Sequence, residues 1–336
     1  DYFLENGFNY FDTARGYHKG KSEPALKEAL TCRYPREAYI LTDKLSGHLF
    51  KTNEDIRPLF QKQLETCGVD YFDFYLMHAQ DRKLFEKYKK CHAYETAFRL
   101  KAEGKIKHVG LSFHDKAFVL EQILTEYPEI EVVQIQLNYL DYDDPAIEGR
   151  KCYEVCRKFN KSVIVMEPVK GGVLANIPKE AKDIFAKLGN SSPASYAIRF
   201  CAGFEGVIMV LSGMGNMEML KDNIKVMSDF KPLNELELEA VNQVREILNK
   251  QSLIQCTGCE YCLEGCPQKI AIPHLFTCMN NIKKYKDWNS RHYYNIHTSS
   301  GGKASDCIKC GLCEQVCPQH LEIPKLLKQV AKVFDN

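Results

Sequence analysis

Two cysteine runs near the end of this chain limit its folding more than any other feature. "CTGCEYCLEGCP" sets Cys256, Cys259, Cys262 and Cys266 ahead of Pro267, and "CIKCGLCEQVCP" sets Cys307, Cys310, Cys313 and Cys317 ahead of Pro318. Both read C-x2-C-x2-C-x3-C-P, a spacing that brings thiolates to the corners of [4Fe–4S] clusters. Zinc would need only CxxC pairs, with no trailing Cys-Pro. In two-cluster proteins three close cysteines hold one cluster and the fourth crosses to the other. That pattern assigns Cys256, Cys259, Cys262 and Cys317 to one [4Fe–4S] cluster, and Cys266, Cys307, Cys310 and Cys313 to a second.

The remaining cysteines support this reading. The chain has 15, and only seven lie outside the two runs (Cys32, Cys67, Cys91, Cys152, Cys156, Cys201 and Cys278). An odd, lopsided set argues against a disulfide framework and for a reducing compartment, so a cytoplasmic location is expected. The composition shifts at about residue 251, which predicts a barrel-like unit over 1–250 and a small, α-rich, bacterial-ferredoxin-like iron–sulfur domain over 251–336. Between the runs, "KKYKDWNSRHYYNIH" offers a surface for a redox partner protein, against the plainer reading of a solvated, partly packed insert.

The first 250 residues alternate short β-branched runs with amphipathic stretches. The strand candidates are 8–14, 38–44, 72–78, 106–113, 132–138, 162–168 and 206–212. Near-continuous apolar strands, each followed by a helix, are buried parallel strands. Their spacing of about 30 residues suits a (β/α)8 TIM barrel. An open doubly wound sheet is the alternative, but no strand leads into G-x-G-x-x-G. A barrel of this kind needs eight strands. "DYFLENG" reads as the last turns of a helix ending at Gly7, so the missing first strand is expected upstream of residue 1. Ser22 is expected to cap the next helix, Thr52 and Gly68 to bound another, and "KLFEKYKKCHAYETAFRLKAEG" to form one helix up to Gly104.

A net charge of +1 provides no basic field for nucleic acid, and no apolar run approaches the roughly 20 residues of a membrane span. "GYHKGKS" near the start looks like a phosphate-binding loop. It has only three residues between Gly16 and Gly20, one too few. Strand ends explain it better, because barrel chemistry lies at the C-terminal ends of the strands. Asp12, Lys44 and His78 close three consecutive strands, and Tyr17 follows Asp12 on the loop. A lysine beside a phenol favours phenolate, a carboxylate holds the lysine, and a histidine hydrogen-bonds a substrate oxygen.

"GFNYFDTARGY…GKSE", "ILTDK" and "YLMHAQ" together resemble the aldo-keto reductase family, and the likeness extends over roughly residues 1–230. The resemblance implies a catalytic tetrad of Asp12, Tyr17, Lys44 and His78, with Tyr17 as general acid. It also implies an NAD(P)(H) site, with Ser112 and Gln134 on the nicotinamide amide and Met166 and Pro168 beside the ring. Gly171, Ser212, Gly213 and Met214 would lie along the dinucleotide, and Asn223 near the adenine. Two positions depart from the family: Phe113 stands where many members carry Asn, and Met166 where many carry a stacking Tyr. The segment around Gly213 and Met219 lacks the basic residues that often grip a 2′-phosphate. Met214, Met217 and Met219 read equally well as core packing.

The two halves imply an iron–sulfur, aldo-keto reductase-like oxidoreductase with a small-molecule carbonyl substrate. Hydride carries two electrons and a cluster one, so coupling them calls for a flavin or a radical step, and no flavin motif is present. Two other readings stay open: an electron-transfer or regulatory protein whose barrel only binds nucleotide, and a reductase whose clusters are purely structural.

Overall fold

The computed structural model describes residues 1–336 except 146, 190, 251–252, 286–288 and 336. The boundary expected at 251 therefore falls outside the described residues, as does part of the proposed partner-docking insert.

Seven parallel strands form one curled sheet in sequence order: β1 (Tyr10–Asp12), β2 (Ile40–Leu45), β3 (Phe72–Gln80), β4 (Ile106–Phe113), β5 (Val132–Gln136), β6 (Ser162–Met166) and β7 (Val207–Val210). Each coincides with an expected strand to within a few residues. The unbroken apolar runs arise because both faces of the sheet are covered. Alternate side chains point to opposite faces. Leu76, Val132 and Ile164 fill the inside of the curl with Tyr10. Their neighbours Tyr75, Met77, Val133, Val163 and Val165 pack outward under the helices. Gly110 of β4 is required here, since a Cβ would run into the Val132 side chain and carbonyl. This is the (β/α)8 architecture with seven strands among the described residues; no eighth strand closes β1 against β7.

Three local expectations fail for definite reasons. Ser22 does not cap the helix Ser22–Leu26 but lies inside it, where its hydroxyl accepts from Thr13 Oγ1 at 2.7 Å. The long helix before Gly104 breaks into Arg82–Lys90 and Ala93–Ala102, because His92 takes a left-handed conformation (φ 51°). Met217 and Met219 are not core residues; on the helix Met217–Ser228 they are 51% and 47% exposed. The expectation at Thr52 and Gly68 holds: Thr52 opens the turn Asn53–Asp55 in a capping box, with Asp55 Oδ2 accepting from the Thr52 amide (3.0 Å), and the turn runs into the helix Ile56–Cys67, which ends on left-handed Gly68.

The tail is helical: Tyr261–Glu264, Ile272–Tyr285, Asn289–Thr298, Leu312–Gln315 and Ile323–Phe334. It has an apolar core of its own around Ile270, Leu275, Phe276, Leu327 and Val330, and Cys278 is buried in it. The tail sits over the C-terminal ends of the strands. Gln319 and Gln136 exchange side-chain hydrogen bonds at 3.0 Å, and Lys170 Nζ donates to Gln319 Oε1 at 3.1 Å. Lys170 is also paired with buried Asp141 (2.5 Å), so the charge is neutralised inside the interface.

Candidate functional site at the strand ends and in the tail

Asp12, Lys44 and His78 converge because β1, β2 and β3 are adjacent and in parallel register, with Asp12 opposite Thr42 and Lys44 opposite Leu76. Lys44 is fully buried. Its Nζ donates to both oxygens of Asp12 (2.6 and 2.7 Å) and to the Thr13 carbonyl (2.9 Å). The Tyr17 ring lies over this ammonium, with its centroid 4.8 Å from Nζ, and meets the His78 ring edge-on at 5.7 Å. Ser46 Oγ lies 2.7 Å from His78 Nδ1.

The loop carrying Tyr17 is anchored from behind. Arg15 donates to buried Glu23 (2.6 Å) and to Thr66 (2.9 Å). The "GKSE" segment thus helps to set the tyrosine's position. Burial raises the Asp12 carboxyl, with Lys44 opposing. Burial also holds His78 well below its ordinary value, and the Lys44 charge adds to this, so the ring is neutral. Tyr17 reverses an expectation. Its hydroxyl is raised, not lowered, first by burial and then by the Asp12 carboxylate. Lys44 lies beneath the ring face, and Asp12 cancels most of its charge.

The expected nicotinamide residues fall into two groups. Ser112 on β4 and Gln134 on β5 are register partners, and Gln136 on β5 pairs with Met166 on β6. Ser112 Oγ accepts from the Ala79 amide (2.7 Å). Gln134 Nε2 contacts Met166 Sδ at 3.5 Å, while its buried Oε1 has no partner. An orphaned amide oxygen beside a paired serine fits a ligand carrying its own amide donor. Pro168 is buried just beyond β6. Ser212, Gly213, Met214 and Asn223 form a separate, more open patch after β7, where Asn223 Nδ2 donates to Ser212 Oγ (2.7 Å). Gly171 belongs to neither group. A Cβ there would come within 2.5 Å of Thr257 O, and its φ is +57°, so it serves as a close approach for the tail.

The eight motif cysteines line two separate voids. Cys256, Cys259, Cys262 and Cys317 surround one, with Ile272, Phe276 and Ile323 as apolar walls. Cys266, Cys307, Cys310 and Cys313 surround the other. Among the described residues, no three His, Cys, Asp or Glu side chains close on a single-ion point. Four thiols around an apolar void are a donor set for a sulfide-bridged cluster. The Ile270 amide donates to Cys266 Sγ at 3.4 Å, a contact that also suits a ligand sulfur.

The first void faces the barrel. Thr257 lies against Gly171, and Gln319 joins Gln136 and Lys170. Tyr261, between Cys259 and Cys262, lies near Tyr17; burial first, and the Tyr17 phenol next, raise its hydroxyl. Sequence reasoning missed Tyr261, Thr257, Gln319, Lys170 and Gln136. A lysine in "MEPVKGG" and two glutamines in the buried run "VVQIQ" were visible signals; nothing local marked Tyr261.

The aldo/keto reductase family profile matches residues 1–246, and that of a 4Fe-4S dicluster domain matches residues 255–322. The NADH-specific methylglyoxal reductase of Escherichia coli is 29% identical over 185 residues, which span 50% of this chain and 54% of that one. The 9,11-endoperoxide prostaglandin H2 reductase of Trypanosoma cruzi is 25% identical over 250 residues, 72% of this chain and 80% of that one. In structure, an aldo-keto reductase from Bacillus halodurans in its holo form superposes with a TM-score of 0.58 at 23% identity, over 72% of this chain and 84% of that one. One from Klebsiella pneumoniae in complex with NADPH also gives 0.58, at 18% identity, over 72% and 81%. The chain belongs to the aldo/keto reductase family, with a 4Fe-4S dicluster domain following the reductase domain.

Proposed function

We propose that this chain reduces a small-molecule carbonyl with Tyr17 as proton donor, and that two [4Fe–4S] clusters held by the eight motif cysteines exchange electrons with the same site. The observation that carries this reading is that the first four-cysteine site is docked on the strand ends of the barrel that carries the tetrad: its wall residues Thr257 and Gln319 meet Gly171, and Gln136 and Lys170, respectively. A bound nicotinamide supplies hydride and the clusters supply single electrons. Reduction of a carbonyl consumes two electrons and two protons, or one hydride and one proton. In either case Tyr17 delivers a proton to the oxygen.

The residues divide the work. Tyr17 is protonated at neutral pH because burial and Asp12 both oppose its ionisation. Lys44, held by Asp12 and the Thr13 carbonyl, keeps a positive charge under the ring as the phenol gives up its proton. Neutral His78, with Ser46 donating to Nδ1, has its Nε2–H for the substrate oxygen. Ser112 and Gln134 would orient the carboxamide of the nicotinamide, Met166 and Pro168 would flank its ring, and Ser212, Gly213, Met214 and Asn223 would hold the rest of the dinucleotide.

Methylglyoxal, the compound in the bacterial relative's name, serves as a probe carbonyl. Tyr17→Phe in the anaerobic, cluster-loaded protein should lower NAD(P)H-dependent turnover by about 100- to 10,000-fold. Wild-type turnover in that variant would overturn the assignment. The same preparation should be brown, with absorbance near 400 nm (roughly, as for cubane clusters). A colourless, iron-free protein would overturn the cluster assignment.

A further inference from the structure

The outer face of the sheet, under the helices, carries a buried polar hub that lies outside the tetrad. Gln63 projects from the helix Ile56–Cys67 and is fully buried. Both ends of its amide are engaged. Nε2 donates to the Lys44 carbonyl (3.0 Å) and lies 3.5 Å from Glu23 Oε1, while Oε1 accepts from the Tyr75 hydroxyl (2.6 Å). A buried amide costs free energy unless its groups are paired, as these are. An apolar side chain could fill the same space under the helix. It could not join these three partners.

Each partner belongs to a different part of the tetrad. Gln63 holds the main chain of Lys44, while Asp12 and the Thr13 carbonyl hold its ammonium. Tyr75 lies on β3, three residues before His78. Glu23 closes the loop that carries Tyr17. Arg15 pairs with Glu23 (2.6 Å), and between them the Tyr17 carbonyl accepts from the Gly20 and Ser22 amides (3.1 and 3.3 Å). Arg15 also donates to Thr66 (2.9 Å), one turn from Gln63 on the same helix. One helix thus holds the lysine strand, the histidine strand and the tyrosine loop from behind. β2 and β3 are in parallel register, with Lys44 opposite Leu76, and the Lys44 ammonium is 4.8 Å from the Tyr17 ring centroid. A shift of Lys44 along β2 changes that spacing, and a misplacement of about 1 Å in a reaction site can cost about 100-fold in rate.

We propose that Gln63 is a positioning residue for the reductase reaction: through the Lys44 carbonyl, Glu23 and Tyr75, its amide fixes the ammonium, the tyrosine loop and the histidine strand at one mutual spacing. This rests on Tyr17 being the general acid with Lys44 as its electrostatic support. Gln63 lies on the outer face of the sheet, so its effect falls on the chemical step and not on substrate binding.

The test uses the full-length, cluster-loaded protein with Gln63→Leu, which keeps much of the volume and removes the amide. Turnover of methylglyoxal should fall about tenfold in kcat, with KM within about twofold of the wild-type value, the loss expected when one orienting hydrogen bond is removed. A readout independent of activity is 19F NMR of protein carrying 3-fluorotyrosine, with the Tyr17 signal assigned by its loss in Tyr17→Phe. That signal should shift in Gln63→Leu. Ile56→Ala is the control for lost packing, since Ile56 is buried two turns before Gln63 on the same helix. It should lower the melting temperature and leave kcat and the Tyr17 signal in place. An unmoved Tyr17 signal in Gln63→Leu, or an equal loss of kcat in the two variants, overturns the proposal. If Gln63→Leu does not fold, Tyr75→Phe, which releases the amide oxygen, should move the same signal; an unmoved signal again overturns it. Should Tyr17→Phe itself keep full activity, the underlying reading of Tyr17 fails instead. The signal shift still reports on Gln63 in that case, so the two failures are distinct.

Discussion

The two cysteine sites repeat one spacing but have different neighbours. The inner site, Cys256, Cys259, Cys262 and Cys317, has Thr257 and Gln319 in contact with the barrel. Around the outer site, Cys266, Cys307, Cys310 and Cys313, the backbone hydrogen bonds stay within the tail, and Ile308 and Leu312 are 60% and 45% exposed. The same motif therefore yields one site joined to the barrel and one facing solvent. The spacing determines that thiols converge, and the docking of the tail determines what they converge beside.

The sharpest break in this comparison comes from removing one ligand from each site. Cys259→Ser should lower NAD(P)H-dependent methylglyoxal reduction at least about tenfold, because the inner loop is docked on the strand ends through Thr257 and Gln319. Cys310→Ser should leave that hydride activity near the wild-type value while abolishing reduction driven by an external one-electron donor. Equal effects on hydride activity would erase the distinction between inner and outer.

A second break targets the interface. Lys170→Met leaves Asp141 as a buried carboxylate with only Gln136 and Asn138 as donors. Losing one partner of a buried pair costs about 3–5 kcal/mol. Denaturant unfolding should show that loss, together with earlier proteolysis between barrel and tail. A smaller effect is expected from Gly171→Ala, where a Cβ meets the Thr257 backbone at positive φ. It should cost about 1–3 kcal/mol, measured in the same way.

Acidity gives the mildest perturbation. His78 and His114 are both held neutral by burial, His114 down to about 4. Each is uncharged in the native state at pH values where the unfolded chain's imidazoles, near 6.5, have gained a proton. The unfolded state therefore binds more protons, and stability falls as pH drops from about 6.5 toward about 4. Thermal melts should show a falling midpoint across that window and little change above it.

Much of this was legible in the residues. The strands could be read because both faces of the sheet are apolar, as at Tyr75, Leu76 and Met77. Asp12, Lys44 and His78 stood out because charge at the end of an apolar strand has few other uses. The cysteine sets could be read because cluster ligation dictates spacing. What could not be read depends on where the tail comes to rest. Gly171, which the resemblance assigns to the dinucleotide, also meets a backbone 86 positions further on, at Thr257. The direction of the Tyr17 shift was missed for a similar reason. From sequence Lys44 was a free charge, whereas in the fold Asp12 grips it with both oxygens.

The central claim is that the strand-end tyrosine and the inner cysteine site serve one reaction. The direct test is to reduce the clusters anaerobically with dithionite, remove the excess, add methylglyoxal, and follow the iron–sulfur absorbance. The account predicts that the colour returns as the clusters are reoxidised, and that Tyr17→Phe slows this return by at least about 100-fold. Clusters that stay reduced in the presence of the carbonyl, or that reoxidise equally fast without Tyr17, would contradict it.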